Sequence, residues 1–432
     1  VQSLVNLSGS AIAKALVIDE LKEANRNIDR KYQELNTLFD LSREFNAGLD
    51  ADKVIRLLTF ALLGQVGASK YVICLRHNGS LKAVAARPAL QPETESQIEQ
   101  LCEIKKAEFV SDLLRSKKLR DVASSFAQAG MAAVVPMQMQ NKTKGLILVG
   151  DRLRGGKYSK TDLEFLHSLG NLAIISIENA RLFLDAIEKQ RMEDELKIAR
   201  EIQQGLLPEV LPEVKGFDLA AVNIPSKQVG GDYYDALVRA EGEYVIAIGD
   251  VSGKGTPAAL LMANVQAALR TLVPIESSLT KATARINDLI SLNMRGGKFI
   301  TFFWGMLDVA TQVLRYVNAG NNPPLLMRAN GSVERLDVGG VILGIIKTQT
   351  PYQEGMVRFE PGDTLLMYTD GVSEAMNADG RDFTEERLER CVKEFTKFSS
   401  AEIIRRIQVE LETHTKGTPQ SDDITMLVLK AL

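Results

Sequence analysis

The sequence predicts a protein of mixed α/β (α+β) class, with two folded regions joined by a helix. The chain has 432 residues, more than one hydrophobic core usually serves, so two or three domains are expected. Residues 182–204 contain neither Gly nor Pro and are rich in charged side chains, which predicts an uninterrupted helix. On both sides of this segment, short apolar runs rich in β-branched residues alternate with helical patterns.

Composition narrows the class of function. Hydrophobic residues make up 45% and charged residues 25% of the chain, which is typical of a globular protein and not of a disordered one. A net charge of -3 gives no electrostatic reason to expect nucleic acid or an anionic membrane as partner. No apolar run approaches the ~18 residues that span a bilayer. The three cysteines are far apart and odd in number, which suits a reducing compartment, so we expect a cytoplasmic protein.

Residues 1–32 are predicted to be an N-terminal helix. The pentapeptide SLVNL at 3–7 resembles SLGNL at 168–172, and charged helical sequence follows both. If this is a true repeat, residues 1–20 are the last helix of a preceding sensor-like domain, which would fit a chain that begins with Val. Chance similarity between two amphipathic helices explains the match equally well.

Residues 33–184 alternate in the order helix, strands, helix, strands, helix. The strands KYVICLRH and LKAVAAR precede a helical middle, the strands MAAVVPMQM and KGLILVGD follow it, and a helix with Ser159 as candidate N-cap closes the unit. This order, and the segment KYSKTDLEFLHSLGNLAIISIENARLF, resemble a GAF domain, which implies a sensor for a small-molecule or protein signal. His77 and Cys74 lie on one strand and could suggest a haem or redox sensor, although such residues are more often simply packed.

Residues 185–210 are predicted to be a helical linker. Apolar or small residues recur at the four-and-three spacing of a heptad seam, which favours a short parallel coiled coil and therefore a homodimer. A single solvated helix is the simpler alternative, but so polar a helix needs a partner for stability. The seam positions are Met192, Leu196, Ala199, Gln203 and Leu206.

Residues 211–432 place carboxylates at the ends of predicted strands. Asp250 follows the apolar run YVIAI, Asp370 follows LLMY, and Asp422-Asp423 begin the last strand. Asp232, in VGGDYYD, precedes another strand and is joined by two glycines that permit close backbone approach. One Asp-Gly pair usually marks a turn, but four such positions favour a cluster. Carboxylates without His or Cys suit Mg²⁺ or Mn²⁺.

The same region resembles the SpoIIE-type branch of the metal-dependent protein phosphatases, relatives of the type 2C serine/threonine phosphatases. The resemblance rests on REIQQGLLPEVLP, VGGDYYDAL, YVIAIGDVSGKGTPAALLMA, LRYVNAGNNPPLLM, GDTLLMYTDGVSEAMN and DDITMLVLK, in the family's order. It implies a β-sandwich flanked by helices, two divalent cations, and hydrolysis of phosphoserine or phosphothreonine. The substrate that it implies is a phosphorylated STAS-type anti-sigma-factor antagonist protein of a partner-switching system.

The resemblance also implies roles for particular residues. Asp250 matches the acid that bridges both cations, and the backbone carbonyl of Val251 is a further ligand. Asp422 is preferred over Asp423 as a ligand because it aligns with the first acid of the family motif. The complete predicted set of catalytic or metal-binding residues is Asp232, Asp250, Val251, Asp370, Asp422 and Asp423. Two positions depart from the relatives, with Ser252 and Asn321 standing where His is common, and neither is assigned a catalytic role.

Two other functions remain as alternatives. The GGD of residues 230–232 also occurs in GGDEF nucleotide cyclases, but Tyr233 and Tyr234 replace the Glu-Phe that such an enzyme needs. A non-catalytic scaffold with a degenerate phosphatase domain is the second alternative, although every expected ligand position is filled. Asp235 is predicted either to support the acid cluster or to be a solvated strand residue.

Overall fold

The computed structural model describes residues 2–77, 79–89, 97–294 and 297–432, and within them the side chains of residues 2–13 and 15 are not described. The side chains of the predicted repeat at residues 3–7 and the N-terminal Val1 therefore lie outside the described part. The chain divides into two compact units, Val1–Arg191 and Met192–Leu432. Both combine helices with antiparallel sheets, which confirms the predicted mixed class.

The N-terminal unit is built on one five-stranded antiparallel sheet, in the spatial order β2-β1-β5-β4-β3. Its predicted strands are present, and β4 has the predicted bounds. In chain order the elements are α1 (Gln2–Asn46), α2 (Ala51–Gly64), β1 (Tyr71–His77), β2 (Ser80–Arg87), a 3₁₀ turn (Ile98–Glu103), β3 (Glu108–Phe109), α3 (Val110–Leu113), α4 (Arg120–Gln128), β4 (Met131–Met139), β5 (Lys142–Gly150) and α5 (Lys160–Gln204).

Both faces of this sheet are buried. One face packs on α1, α2 and α5 through residues such as Leu58, Ile147 and Leu166, and the other packs on the 3₁₀ turn, α3 and α4 through residues such as Leu101 and Phe126. The continuous apolar runs of β4 and β5 follow from this double burial. Helix α1 continues unbroken through residue 32, where a domain boundary is predicted.

The start of α5 confirms the predicted cap at Ser159. The Ser159 hydroxyl accepts a hydrogen bond from the Asp162 N–H at 3.2 Å, and Asp162 Oδ2 accepts one from the Ser159 N–H at 2.7 Å. This reciprocal pair satisfies two backbone donors that the first turn would otherwise leave unpaired. The helix then runs to Gln204, through the segment in which neither Gly nor Pro occurs.

The C-terminal unit contains two five-stranded antiparallel sheets. The first sheet has the order β13-β10-β9-β8-β7 and the second β12-β11-β14-β15-β6. The elements are β6 (Phe217–Ile224), β7 (Tyr233–Ala240), β8 (Glu243–Val251), α6 (Thr256–Leu272), α7 (Leu279–Asn293), β9 (Ile300–Asp308), β10 (Val313–Ala319), β11 (Leu325–Met327), β12 (Val333–Arg335), β13 (Gly355–Arg358), β14 (Thr364–Tyr368), α8 (Asp370–Ser373), α9 (Glu385–Phe395), α10 (Ser400–Thr415) and β15 (Ile424–Ala431).

The two sheets pack face to face between two layers of helices. Side chains of both sheets, among them Phe303, Leu314 and Leu427, form the central core. The outer face of the first sheet packs on α6 and α7 around Trp304, and that of the second packs on α9 and α10. The unit is therefore the predicted β-sandwich flanked by helices.

Two further findings concern membrane-spanning helices and cysteines among the described residues. No helix in the described part of the chain has the length and apolar character needed to cross a membrane. Cys74, Cys102 and Cys391 are all free thiols.

Candidate metal centre

The predicted acids stand at the ends of strands that lie side by side. Asp232 directly precedes β7, and Asp250 is the last residue but one of β8, its neighbour in the first sheet. Asp370 follows β14 by two residues, and Asp422 and Asp423 directly precede β15, the neighbour of β14 in the second sheet. The order of the strands therefore brings acids from four chain segments to one edge of the sandwich.

Asp232 joins the two sheets. It is 3% exposed, and its Oδ2 accepts hydrogen bonds from the hydroxyls of Thr369 at 2.8 Å, directly after β14, and Thr425 at 2.5 Å, in β15. The carboxyl group of Asp250 is close enough for its charge to act on Asp232.

Burial and mutual repulsion disfavour the charged forms of these acids. Burial, followed by the charge of Asp250, raises the pKa of Asp232 well above its usual range. Burial and the charge of Asp370 raise the pKa of Asp250 to about 7. Burial and the charge of Asp422 raise the pKa of Asp370 as well. A divalent cation would supply positive charge that offsets this repulsion.

Asp422 and Asp423 differ in their contacts. Asp423 is 4% exposed, and its carboxylate accepts hydrogen bonds from the Ser226 N–H, the Ser226 hydroxyl and the Gly231 N–H at 2.7–2.8 Å. It therefore holds the loop before Asp232 in place. The side chain of Asp422 is 35% exposed and forms an ion pair with Lys254 at 2.9 Å. These contacts leave Asp422 the more accessible of the two, which favours it as the ligand.

Three glycines allow the backbone to approach the acids closely. A Cβ added to Gly230 would overlap the carboxylate of Asp423, and one added to Gly371 would overlap the backbone carbonyl of Asp423. At Gly231 the added atom would lie 2.9 Å from the carbonyl oxygen of Val251 and 3.5 Å from Oδ1 of Asp250. The predicted role of Gly230 and Gly231 in close approach is thereby confirmed. The Val251 carbonyl also lies beside Asp250, where a backbone ligand is predicted.

Asp235 is not a solvated strand residue. It is fully buried, and its carboxylate accepts hydrogen bonds from Tyr233 Oη at 2.6 Å, Arg270 Nε at 2.8 Å and the Ala236 N–H at 2.9 Å. Arg270 lies on α6, the helix that follows Asp250, so this network joins that helix to the strand after Asp232. The solvated alternative failed because Arg270 is 35 residues away in sequence and strand periodicity does not reveal it.

Other contacts at the cluster were not predicted. Lys254, on the loop after Asp250, pairs with Asp422 and also donates to the Ser421 carbonyl. Gln203, in the last turn of α5, donates to the Gly230 carbonyl at 2.7 Å and accepts from the Gly230 N–H at 3.0 Å. A lysine in a glycine-rich loop was a visible signal for the first contact. Gln203 is a predicted seam position of the linker helix, but that pattern does not reveal its contact with Gly230.

Ser252 and Asn321, which stand where relatives often have His, have structural contacts. The Ser252 hydroxyl accepts a hydrogen bond from the Phe299 N–H at 2.8 Å. The Asn321 side chain donates to the carbonyls of Asn322 and Tyr368, and its N–H donates to Asn318.

Within the described ranges, no group of three or more His, Cys, Asp or Glu side chains has an arrangement ready to hold a metal ion. The contacts above explain this, since Asp232 and Asp423 turn toward protein donors and Asp422 turns toward Lys254. The donors nevertheless fit a hard divalent cation. They are all oxygen atoms, they include closely spaced carboxylates, and glycines leave room around them.

Comparison with known proteins agrees with this geometry. Residues 240–432 match the family model "Stage II sporulation protein E (SpoIIE)", a range that includes Asp250, Asp370 and Asp422 but not Asp232. Residues 240–432, which make up most of the C-terminal unit, are therefore similar to the SpoIIE family. The PP2C domain of SiaA from Pseudomonas aeruginosa shares the fold of this unit, with a TM-score of 0.51 and 22% identity, over 57% of this chain and 99% of that one.

Curated relatives of the SpoIIE-type domain belong to longer or differently built proteins. The chain is 30% identical over 263 residues to Protein IcfG of Synechocystis sp. PCC 6803. The aligned region makes up 54% of this chain and 41% of IcfG. It is 29% identical over 244 residues to the phosphoserine phosphatase RsbU of Bacillus subtilis. Here the aligned region makes up 56% of this chain and 71% of RsbU. The chain therefore spans less than half of the first relative and most of the second.

Proposed function

We propose that this chain is a metal-dependent protein phosphatase that hydrolyses phosphoserine or phosphothreonine on a protein substrate. The observation that carries the proposal is the convergence of Asp232, Asp250, Asp370 and Asp422 at one edge of a SpoIIE-type sandwich. The likeness to RsbU, a named phosphoserine phosphatase, supports the choice of phosphoester. The substrate that we propose is a phosphorylated STAS-type antagonist of an anti-sigma factor, in the cytoplasm.

The cofactors in this proposal are two divalent cations, Mn²⁺ or Mg²⁺, held by Asp232, Asp250, Asp370 and Asp422 together with the carbonyl of Val251. When bound, such cations supply a water that is deprotonated near neutral pH and positive charge for the phosphoryl oxygens. The hydroxyls of Thr369 and Thr425 orient the carboxylate of Asp232. Asp423, although it is also a predicted ligand, orients the loop of Gly231 in this scheme.

Substitution of Asp250 tests the assignment most directly. In the Asp250→Asn variant we expect phosphate release from p-nitrophenyl phosphate, measured against Mn²⁺ concentration, to fall by about two orders of magnitude or more, because a central ligand is lost. Asp308→Asn is the matched control, since Asp308 lies at the opposite end of β9 from Thr301, which pairs with Asp250. Undiminished activity in Asp250→Asn would exclude the metal assignment. Wild-type protein that releases no phosphate with either cation would favour the scaffold alternative.

We further propose that the N-terminal unit is a GAF-type sensor that regulates the phosphatase through α5, in a homodimer whose linker helices form a coiled coil. Two observations support this regulation. Met192, a predicted seam position, is 54% exposed and is therefore accessible to a second copy of the helix. The last turn of the same helix holds Gly230 through Gln203, two residues before Asp232. A shift of the helix would therefore act on the loop that carries a metal ligand.

A further inference from the structure

A pocket of about 180 Å³ lies beside the acid cluster, between α10 and the loop that leads into β15. Its walls are mostly apolar, formed by Ile224, Ala375, Leu411 and Ile424. The side chain of Met376, at the rim, is 45% exposed.

The pocket opens next to the proposed reaction centre. Gly371, in its wall, directly follows Asp370, and a Cβ at this glycine would lie 3.3 Å from the Cβ of Asp422. Ser421, also in its wall, directly precedes Asp422. A ligand in the pocket would therefore be about one residue's length from the carboxylates.

The side chains that line the pocket indicate which class of ligand it can bind. Glu412 is the charged residue among those that line the pocket, and neither Lys nor Arg takes part. A phosphate or another anion would find no cationic side chain among the lining residues. An engineered apolar cavity of roughly 150 Å³ holds a benzene ring, so this pocket has room for one aliphatic or single-ring side chain.

We propose that this pocket receives an apolar side chain of the phosphoprotein substrate, close in sequence to the phosphorylated residue, and so determines which phosphoproteins are cleaved. The proposal rests on the proposed phosphatase activity. It assigns substrate selection to α10 and the β15 loop and leaves phosphoester hydrolysis to the acids. Burial of the apolar side chain would stabilise the bound substrate without contact with the phosphoryl group.

The test compares synthetic phosphoserine peptides in which each position near the phosphoserine is in turn Leu or Ser. With the full-length protein and Mn²⁺, we expect Leu at one position to raise kcat/KM by about tenfold or more. Thr415→Trp places an indole at the pocket wall and should remove this preference, while hydrolysis of p-nitrophenyl phosphate stays within about twofold. Thr413→Trp is the matched control, because Thr413 is exposed in the same turn and also donates its hydroxyl to the carbonyl four residues earlier.

A second pair of variants guards against misfolding. Met376→Gln changes the rim without changing its charge or approximate size, and we expect it to reduce the Leu preference severalfold. Met356→Gln, at a methionine that is 67% exposed on β13, should leave the preference unchanged.

The outcomes separate the two proposals. If the wild type releases no phosphate from p-nitrophenyl phosphate, the phosphatase assignment is wrong. If it does but shows no Leu preference, the pocket does not select substrates. Equal loss of both activities in Thr415→Trp, with normal folding, would also overturn the inference, because the pocket would then be part of the reaction centre.

Discussion

The ion pair between the buried Asp235 and the partly exposed Arg270 allows a quantitative prediction for the variant Asp235→Asn. Asparagine keeps the size of the side chain and an oxygen for the Ala236 N–H, but it removes the charge that Arg270 and the Tyr233 hydroxyl contact. Loss of one partner from a fully buried ion pair costs about 3–5 kcal/mol. The side chain of Arg270 is 40% exposed, so water compensates part of its charge and we expect about 2–3 kcal/mol.

Tryptophan fluorescence gives an assay that is specific for the C-terminal unit. Trp304 is the single tryptophan of the chain, is fully buried, and donates to the Thr283 hydroxyl at 2.9 Å. The Trp304 emission in urea therefore reports the unfolding of the C-terminal unit alone, although the chain also contains the N-terminal unit. With a urea slope of about 2–3 kcal/mol/M, Asp235→Asn should lower the midpoint by about 1 M.

The control is Asp379→Asn, at an exposed aspartate of the same unit, for which we expect an unchanged midpoint. A midpoint of Asp235→Asn within about 0.2 M of the wild type would refute the reasoning, since it would mean that the ion pair contributes no net stability.

Three further predictions concern the acids and the linker. In the metal-free protein, the free energy of unfolding should fall as pH rises from about 4 to about 7, because Asp250 holds its proton with a pKa of about 7 when folded and 3.8 when unfolded. Saturating Mn²⁺ should remove this fall, and a flat metal-free profile of Trp304 midpoints would contradict the prediction. Gly230→Ala should raise the Mn²⁺ concentration for half-maximal activity about tenfold or more, because its Cβ would displace Asp423, whereas Gly64→Ala, which meets no atom within 4 Å, should not. Insertion of half a heptad near Met192 should change phosphatase activity and a full heptad should restore it; equal activities would argue against transmission through the helix.

The elements of this protein could largely be predicted from local sequence. Strand β4 has the bounds that its apolar and β-branched run predicts, because a strand buried on one or both faces must carry that pattern. The acids at the strand ends were visible for the same reason, since each follows or precedes such a run. Their grouping at one edge follows from sheet order, which the family resemblance supplied and local sequence did not.

The contacts that define the site were decided by tertiary structure. Asp422 and Asp423 are adjacent and chemically identical in the sequence, yet only the fold places Gly231 and Ser226 against one and Lys254 against the other. Asp235 is buried because a helix 35 residues away delivers Arg270.

The sequence by itself therefore determined the elements, the all-oxygen chemistry of the acids and the glycines beside them. Only the tertiary structure decided which carboxylates are accessible and which hold the loops. The physical reason is that strand and helix patterns depend on neighbours along the chain, whereas hydrogen bonds and ion pairs at this site join residues up to 197 positions apart.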